Sequence, residues 1–106
     1  MKPAPDYVPA HGLLRGKSVL VTAAAGAGIG FAIAKRAAEE GCRALFISDV
    51  HERRLSEAVE AIQRDTGLKE VYSQLCDVSQ ESQVQSLVDA AEAQLGGIDV
   101  LVNNAG

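Results

Sequence analysis

Apolar and polar positions along this chain switch repeatedly between two rhythms. Residues 18–22, Ser-Val-Leu-Val-Thr, form a short run rich in β-branched and apolar side chains, which predicts a strand. Residues 31–40 are Ala-rich and helix-prone, and Gly41 is placed to end that helix. A second strand is predicted over 43–48. The helix expected over 52–66 carries Leu55, Ala58, Val59 and Ile62 on one face at 3.6-residue spacing and stops at Gly67. A third strand is predicted over 70–76. Ser79 is a candidate N-cap for a helix running to Leu95, with Val84, Leu87, Val88, Ala91 and Leu95 as its apolar stripe and Gly96-Gly97 as its stop. The last strand is expected over 98–102.

Strand and helix therefore alternate three times before a fourth strand. Connections of this length join parallel strands through right-handed crossovers. The expected fold is α/β: a doubly wound parallel sheet with flanking helices and strand order 3-2-1-4. The two stripes, at 55–62 and 84–95, are read as core faces with no ligand role. Residues 1–12, with Pro3, Pro5, Pro9 and Gly12, read as an extended arm, either flexible or packed on a partner. Residues 13–106 form the domain.

Composition narrows the possible partners. The chain has 106 residues, enough for one small domain, and its 47% apolar and 23% charged content argues against disorder. Aromatic residues are only 4%, so the core must be built from Val, Leu, Ile and Ala, as suits a parallel sheet covered by helices. Net charge is −4 with no basic cluster, which makes nucleic acid a poor partner. No apolar run reaches the roughly 18 residues of a membrane span. The N-terminus lacks the apolar segment of a signal peptide. Cys42 and Cys76 have no metal-ligand spacing, and no metal site is expected. Two buried thiols in a reducing cytoplasm is the favoured reading, with a disulfide as the alternative.

The candidate chemistry lies between the first strand and the first helix. Residues 22–30, Thr-Ala-Ala-Ala-Gly-Ala-Gly-Ile-Gly, end in a G-x-G-x-G run formed by Gly26, Gly28 and Gly30. Glycines permit positive φ and close backbone approach to a ligand. The helix that follows presents free N–H groups and its positive dipole end to a phosphate. Gly30 would let that helix sit close to the strands. Asp49 ends the second strand, 19 positions beyond Gly30. A carboxylate there can accept hydrogen bonds from ribose hydroxyls and repels a 2′-phosphate, which favours NAD over NADP. Two other readings stand beside this one. Asp49 could simply cap the turn before the next helix, and Arg53 or Arg54 could swing toward a 2′-phosphate. His51 reads as a surface histidine. The absence of Gly-Lys-Ser/Thr after the glycines excludes a P-loop. An S-adenosylmethionine-dependent methyltransferase, which also uses a Gly-rich first turn and an acidic residue ending strand two, remains a rival.

Residues 98–106, Ile-Asp-Val-Leu-Val-Asn-Asn-Ala-Gly, resemble the D-x-L-V-N-N-A-G segment of the short-chain dehydrogenase/reductase family. Three further stretches match in order. Leu14-Arg15-Gly16-Lys17 resembles the family's lead-in, Gly28-Ile29-Gly30 the end of its T-G-x-x-x-G-I-G turn, and Cys76-Asp77-Val78-Ser79 its D-V-S/T step. The resemblance spans roughly residues 13–106. It implies a Rossmann-type domain and an oxidoreductase moving hydride between a nicotinamide cofactor and a secondary alcohol or ketone. It further implies that Gly26, Gly28, Ile29 and Gly30 line the cofactor diphosphate, that Asp49 holds the adenosine ribose, and that Asp77 with the Val78 backbone lies against the adenine. Asn104, Ala105 and Gly106 would border the adenosine side, and Asn103 would help tie the central strands together. A homo-oligomer, dimer or tetramer, is expected by analogy.

Two features depart from the family pattern. Ala23 stands where the family usually has Gly, and the turn from Thr22 to Gly30 is one residue longer than usual. Ala27 occupies a position where NADP-preferring members often carry a basic residue, in agreement with Asp49. The family's catalytic Tyr-x-x-x-Lys is not present: the tyrosines are Tyr7 and Tyr72, followed four positions on by His11 and Cys76. No catalytic residue is therefore assigned in this chain. It is expected to be the N-terminal part of a longer protein, supplying cofactor binding only, inactive by itself and marginally folded with its fourth strand as an open edge. A non-catalytic dinucleotide-binding module is the remaining alternative.

Overall fold

The structure, a computed structural model, describes residues 9–24 and 28–103. Seven elements follow in the order β1 (Ser18–Val21), α1 (Ile29–Glu39), β2 (Ala44–Asp49), α2 (Glu52–Thr66), β3 (Val71–Leu75), α3 (Glu81–Leu95) and β4 (Val100–Val102). All strand pairs are parallel and the sheet order is β3-β2-β1-β4, as the alternation of the two rhythms requires. The register sets Leu20 beside Phe46 and Leu101, and Ile47 beside Ser73.

Which strands are central follows from their side chains. β1 is buried at every position, and β2 at all but Asp49. Such continuous burial is expected where helices cover both faces. At the edges, β3 and β4 alternate between more and less exposed positions. Val19, Val21, Leu45 and Ile47 pack with Ala34, Ala37, Leu55, Ala58 and Ile62 of α1 and α2. Leu20, Ala44 and Phe46 pack with Leu87, Ala91 and Leu95 of α3 on the opposite face. The sheet is thus wound on both sides.

α2 forms over the span the sequence predicts. Its end is fixed by Gly67 at φ 76°, whose N–H donates to the Gln63 carbonyl at 3.0 Å, a left-handed position that glycine fills without strain. Two boundaries differ from expectation. α1 begins two residues early, so Gly28 is its N-cap and Ile29 and Gly30 lie inside its first turn. α3 is not capped by Ser79. The Ser79 hydroxyl donates instead to Asp77 Oδ1 at 2.7 Å, and Gln80 becomes the N-cap with no side-chain cap bond. An acceptor two residues back has captured the hydroxyl, a local competition common to Ser and Asp.

β4 is also shorter than expected. Ile98 and Asp99 precede it, and the Asp99 carboxylate turns back to accept from the Ser18 amide at 2.9 Å and the Ser18 hydroxyl at 3.2 Å. The same hydroxyl lies 2.6 Å from the Gly97 carbonyl, so its single proton is shared between the two acceptors. These bonds fix the start of β4 against the start of β1, and they hold the Asp99 carboxyl below its ordinary range. Both cysteines are free and buried, and burial pushes the Cys42 thiol up to about 11. Among the described residues, no helix is long and apolar enough to cross a membrane.

Candidate functional site

The strands deliver their C-terminal ends to one edge of the sheet, where ligands bind in open α/β folds. Ala23 follows β1, Asp49 ends β2, and Cys76 follows β3. These three residues, with Val50 and Val78, line a single slot of about 60 Å³. Two of the residues singled out from sequence, Asp49 and Val78, are therefore neighbours in space although 29 positions apart.

Asp49 is half-buried. Its Oδ1 accepts from the amides of Val50 at 2.7 Å and His51 at 3.2 Å. The turn into α2 is thus held by this carboxylate, as the capping reading anticipates.

Asp77 leads out of β3 into a tight turn. Its Oδ1 accepts from the amide and hydroxyl of Ser79, while its own amide donates to Gln83 Oε1 at 2.8 Å. The Ser79 bonds, the hydroxyl's foremost, hold the Asp77 carboxyl below its usual range. Asp77 itself does not line the slot; its effect is to set Val78, 40% exposed, at the rim. Cys76 forms part of the wall and is 3% exposed. Burial, followed by the neighbouring Asp77 charge, raises its thiol pKa, so it is a neutral apolar wall rather than a nucleophile.

The helix that follows β1 presents its N-terminus at this same edge. Gly28 and Ile29 are exposed and Gly30 is buried. None of the three helices has a side-chain cap bond, but α2 and α3 carry Glu52 and Glu81 in their first turns, whereas α1 has no acidic residue there. A first turn without an acidic residue of its own suits an anion site. Gly28 does not adopt positive φ: it is extended at φ −86°, and a Cβ built on it would meet nothing within 4 Å. Among the described residues of this turn, positive φ falls on Ala23, at 52°. The sequence-assigned residues Gly26, Asn104, Ala105 and Gly106 lie outside the described residues.

On the other side of β1, the Thr22 hydroxyl lies 3.4 Å from the Val102 carbonyl and 3.3 Å from Asn103 Oδ1. The Thr22 amide donates to the same carbonyl at 3.1 Å. Asn103 therefore bonds from the end of β4 to the end of β1, the tie implied by the resemblance. The Ser48 hydroxyl, just before Asp49, is buried without a hydrogen-bond partner among the described residues. Sequence pattern had pointed to neither Cys76 as a wall nor Ser48 as an orphan; both follow from where the strands end. No group of three or more His, Cys, Asp or Glu side chains suited to a metal occurs among the described residues.

A doubly wound parallel sheet with a Gly-rich first crossover defines the class, and comparison with known proteins narrows it. Residues 17–106 match the short chain dehydrogenase family. The chain is 52% identical over 103 residues to the (5R,7aS)-5-hydroxy-7a-methyl-1-oxo-2,3,5,6,7,7a-hexahydro-1H-indene-carboxyl-CoA reductase of Mycobacterium tuberculosis, covering 97% of this chain and 38% of that protein. It superposes on a short chain dehydrogenase from Mycobacterium smegmatis with a TM-score of 0.91 at 49% identity, over 98% of this chain and 42% of that one. It also superposes on L-sorbose reductase from Gluconobacter frateurii complexed with NADPH and L-sorbose, with a TM-score of 0.80 at 33% identity, over 88% of this chain and 34% of that one. This chain belongs to the short-chain dehydrogenase/reductase family of oxidoreductases, which bind nicotinamide cofactors. It spans about two fifths of the length of these relatives.

Proposed function

We propose that residues 13–106 are the cofactor-binding part of an NAD(P)-dependent alcohol or carbonyl oxidoreductase. The observation that carries this reading is the convergence of Ala23, Asp49, Val50, Cys76 and Val78 on one slot at the C-terminal ends of three strands. The N-terminus of α1, without an acid in its first turn, fits the diphosphate of the same ligand. Gly26, Gly28, Ile29 and Gly30 would line that diphosphate, Asp49 would take the ribose hydroxyls, and Asp77 with the Val78 backbone would hold the adenine edge. Asn104, Ala105 and Gly106 would close the adenosine side. The bound cofactor supplies hydride; the protein supplies orientation and electrostatics.

The preferred cofactor is NAD, because the Asp49 carboxylate would repel a 2′-phosphate. NADP is the second reading, favoured by one specific observation: the NADPH held by L-sorbose reductase. Arg53, paired with Glu57 at 3.2 Å, and Arg54 are the nearby cations that could take the extra phosphate. The substrate is a small-molecule alcohol or ketone, a reading supported by the relatives' names as reductases and dehydrogenases. Acid–base catalysis would come from outside these 106 residues. A cytoplasmic location and assembly as a homo-oligomer belong to the same reading. The family match favours neither a methyltransferase nor a non-catalytic module.

The test is a calorimetric titration of the full-length protein with NADH, NADPH and S-adenosylmethionine. NADH is expected to bind more tightly than NADPH, and S-adenosylmethionine not at all. Binding of S-adenosylmethionine alone would overturn the reading.

A further inference from the structure

Ala23 is the only described non-glycine residue at positive φ. An L-residue with a Cβ is strained in that region, and such strain persists only where the surroundings dictate it. The surroundings here are visible. The Thr22 amide is fixed to the Val102 carbonyl of β4 at 3.1 Å, and the Ala24 amide to the Ser48 carbonyl of β2 at 2.9 Å. Ala24 itself is fully buried. The residues on either side of Ala23 are thus tied to strands on opposite sides of β1. The intervening residue must turn the chain out of the sheet within one step, which sends φ to 52°.

Ala23 also lines the slot with Asp49, Val50, Cys76 and Val78. The slot is small, about 60 Å³, and partly open to solvent. Two of its other walls are fixed, while Val50 and Val78 are exposed. Cys76 is buried, and Asp49 is held by two backbone amides.

We propose that Ala23 determines how deeply this slot accepts the adenosine end of a dinucleotide: its side chain, held in the left-handed region by the strands on either side, narrows the slot and weakens binding of that end. The proposal rests on the cofactor reading above and goes beyond it by naming a residue that limits affinity. The native residue is then a compromise in both stability and binding, and glycine relieves both. A glycine removes the φ strain and the steric bulk in one step, without touching any hydrogen-bonding side chain.

The experiment compares wild-type and Ala23→Gly full-length protein, measuring thermal unfolding and the affinities for NADH, ADP-ribose and nicotinamide mononucleotide. Ala23→Gly is expected to raise Tm by about 2 °C or more. It should tighten NADH and ADP-ribose at least about fivefold, the scale of relieving an overpacked contact, and leave nicotinamide mononucleotide unchanged. If the wild type binds NADH but the variant binds it no better, or tightens the mononucleotide equally, the proposal is overturned while the cofactor reading stands. If neither protein binds NADH or ADP-ribose, both fail. A variant with lowered Tm would contradict the left-handed strain at Ala23 and overturn the proposal as well.

Discussion

The two faces of the sheet are built from similar material yet finished differently. α2 and α3 are each 15 residues long, and each buries three apolar side chains: Leu55, Ala58 and Ile62 on one face, Leu87, Ala91 and Leu95 on the other. The first face also receives α1, whose Ala34, Ala37 and Ala38 are small enough to let the helix lie close to Val19 and Val21. The second face has α3 alone. Beside it runs an apolar groove of about 390 Å³, walled by Leu20, Val84, Leu87, Val88 and Leu101, and Leu101 is 57% exposed. Helical length and stripe quality therefore do not decide how completely a strand is buried. β4, at the edge, receives least cover on either face: a smaller groove of about 230 Å³, walled by Val19, Ile33, Ala37, Val100 and Val102, runs beside it on the α1 side as well.

The largest effect that sharpens this contrast is a core truncation on the two-helix face. Ile62→Ala should cost about 2–5 kcal/mol, since Ile62 is fully buried between α2 and the sheet and neighbours on both sides restrict collapse. Leu101→Ser in the same 106-residue chain should change stability by no more than about 0.5 kcal/mol, as for other exposed positions. Urea unfolding of the two variants measures both. Equal losses would mean that the groove beside α3 is not open.

A smaller effect concerns the end of α1 on the two-helix face. Glu40, 4% exposed, accepts from the amides of His11 at 2.7 Å and Leu13 at 3.2 Å and pairs with Arg36 at 2.8 Å. A carboxylate at a helix C-terminus is unfavourable to the dipole, so these partners are what hold it there. The backbone bond from His11 leads in drawing its pKa below the ordinary value of 4.5. A depressed carboxyl pKa adds stability above the unfolded value, and that stability is lost as pH falls through the lower, folded value. Stability should therefore hold from neutral pH down to the ordinary carboxylate range and drop below it, with Asp99 and Asp77 acting in the same direction. Glu40→Gln should be less stable at neutral pH and show a shallower acid decline in circular dichroism. An unchanged decline would remove Glu40 from the account.

The same contrast explains what the sequence could and could not disclose. Apolar runs identified the four strands, Ala content and two apolar stripes the three helices, and the strand order followed from the doubly wound pattern that such alternation implies. α2 was the clearest case, with a clean stripe and a glycine stop. Ser79 misled because its hydroxyl has a nearer acceptor in Asp77, a choice that depends on turn geometry rather than on residue type. At Ala23 the only local sign of positive φ was the family's usual Gly, since the demand comes from β2 and β4, which bind its neighbours from far along the chain. Glu40 looked like one more helix-surface acid, and only the fold of residues 9–14 over the end of α1 buries it. Asp49 was singled out by its place at the end of strand two, and Val78 by the family resemblance. Their shared slot, with Cys76 as its wall, required three strands to end together.

The most direct test of the central claim is a crystal structure of the full-length protein with NADH bound. The adenosine should sit in the slot between Ala23, Val50, Cys76 and Val78, with its ribose hydroxyls on the Asp49 carboxylate and the diphosphate over Gly28 at the start of α1. Adenosine found instead in the groove under Leu101, or with its ribose away from Asp49, would contradict the account.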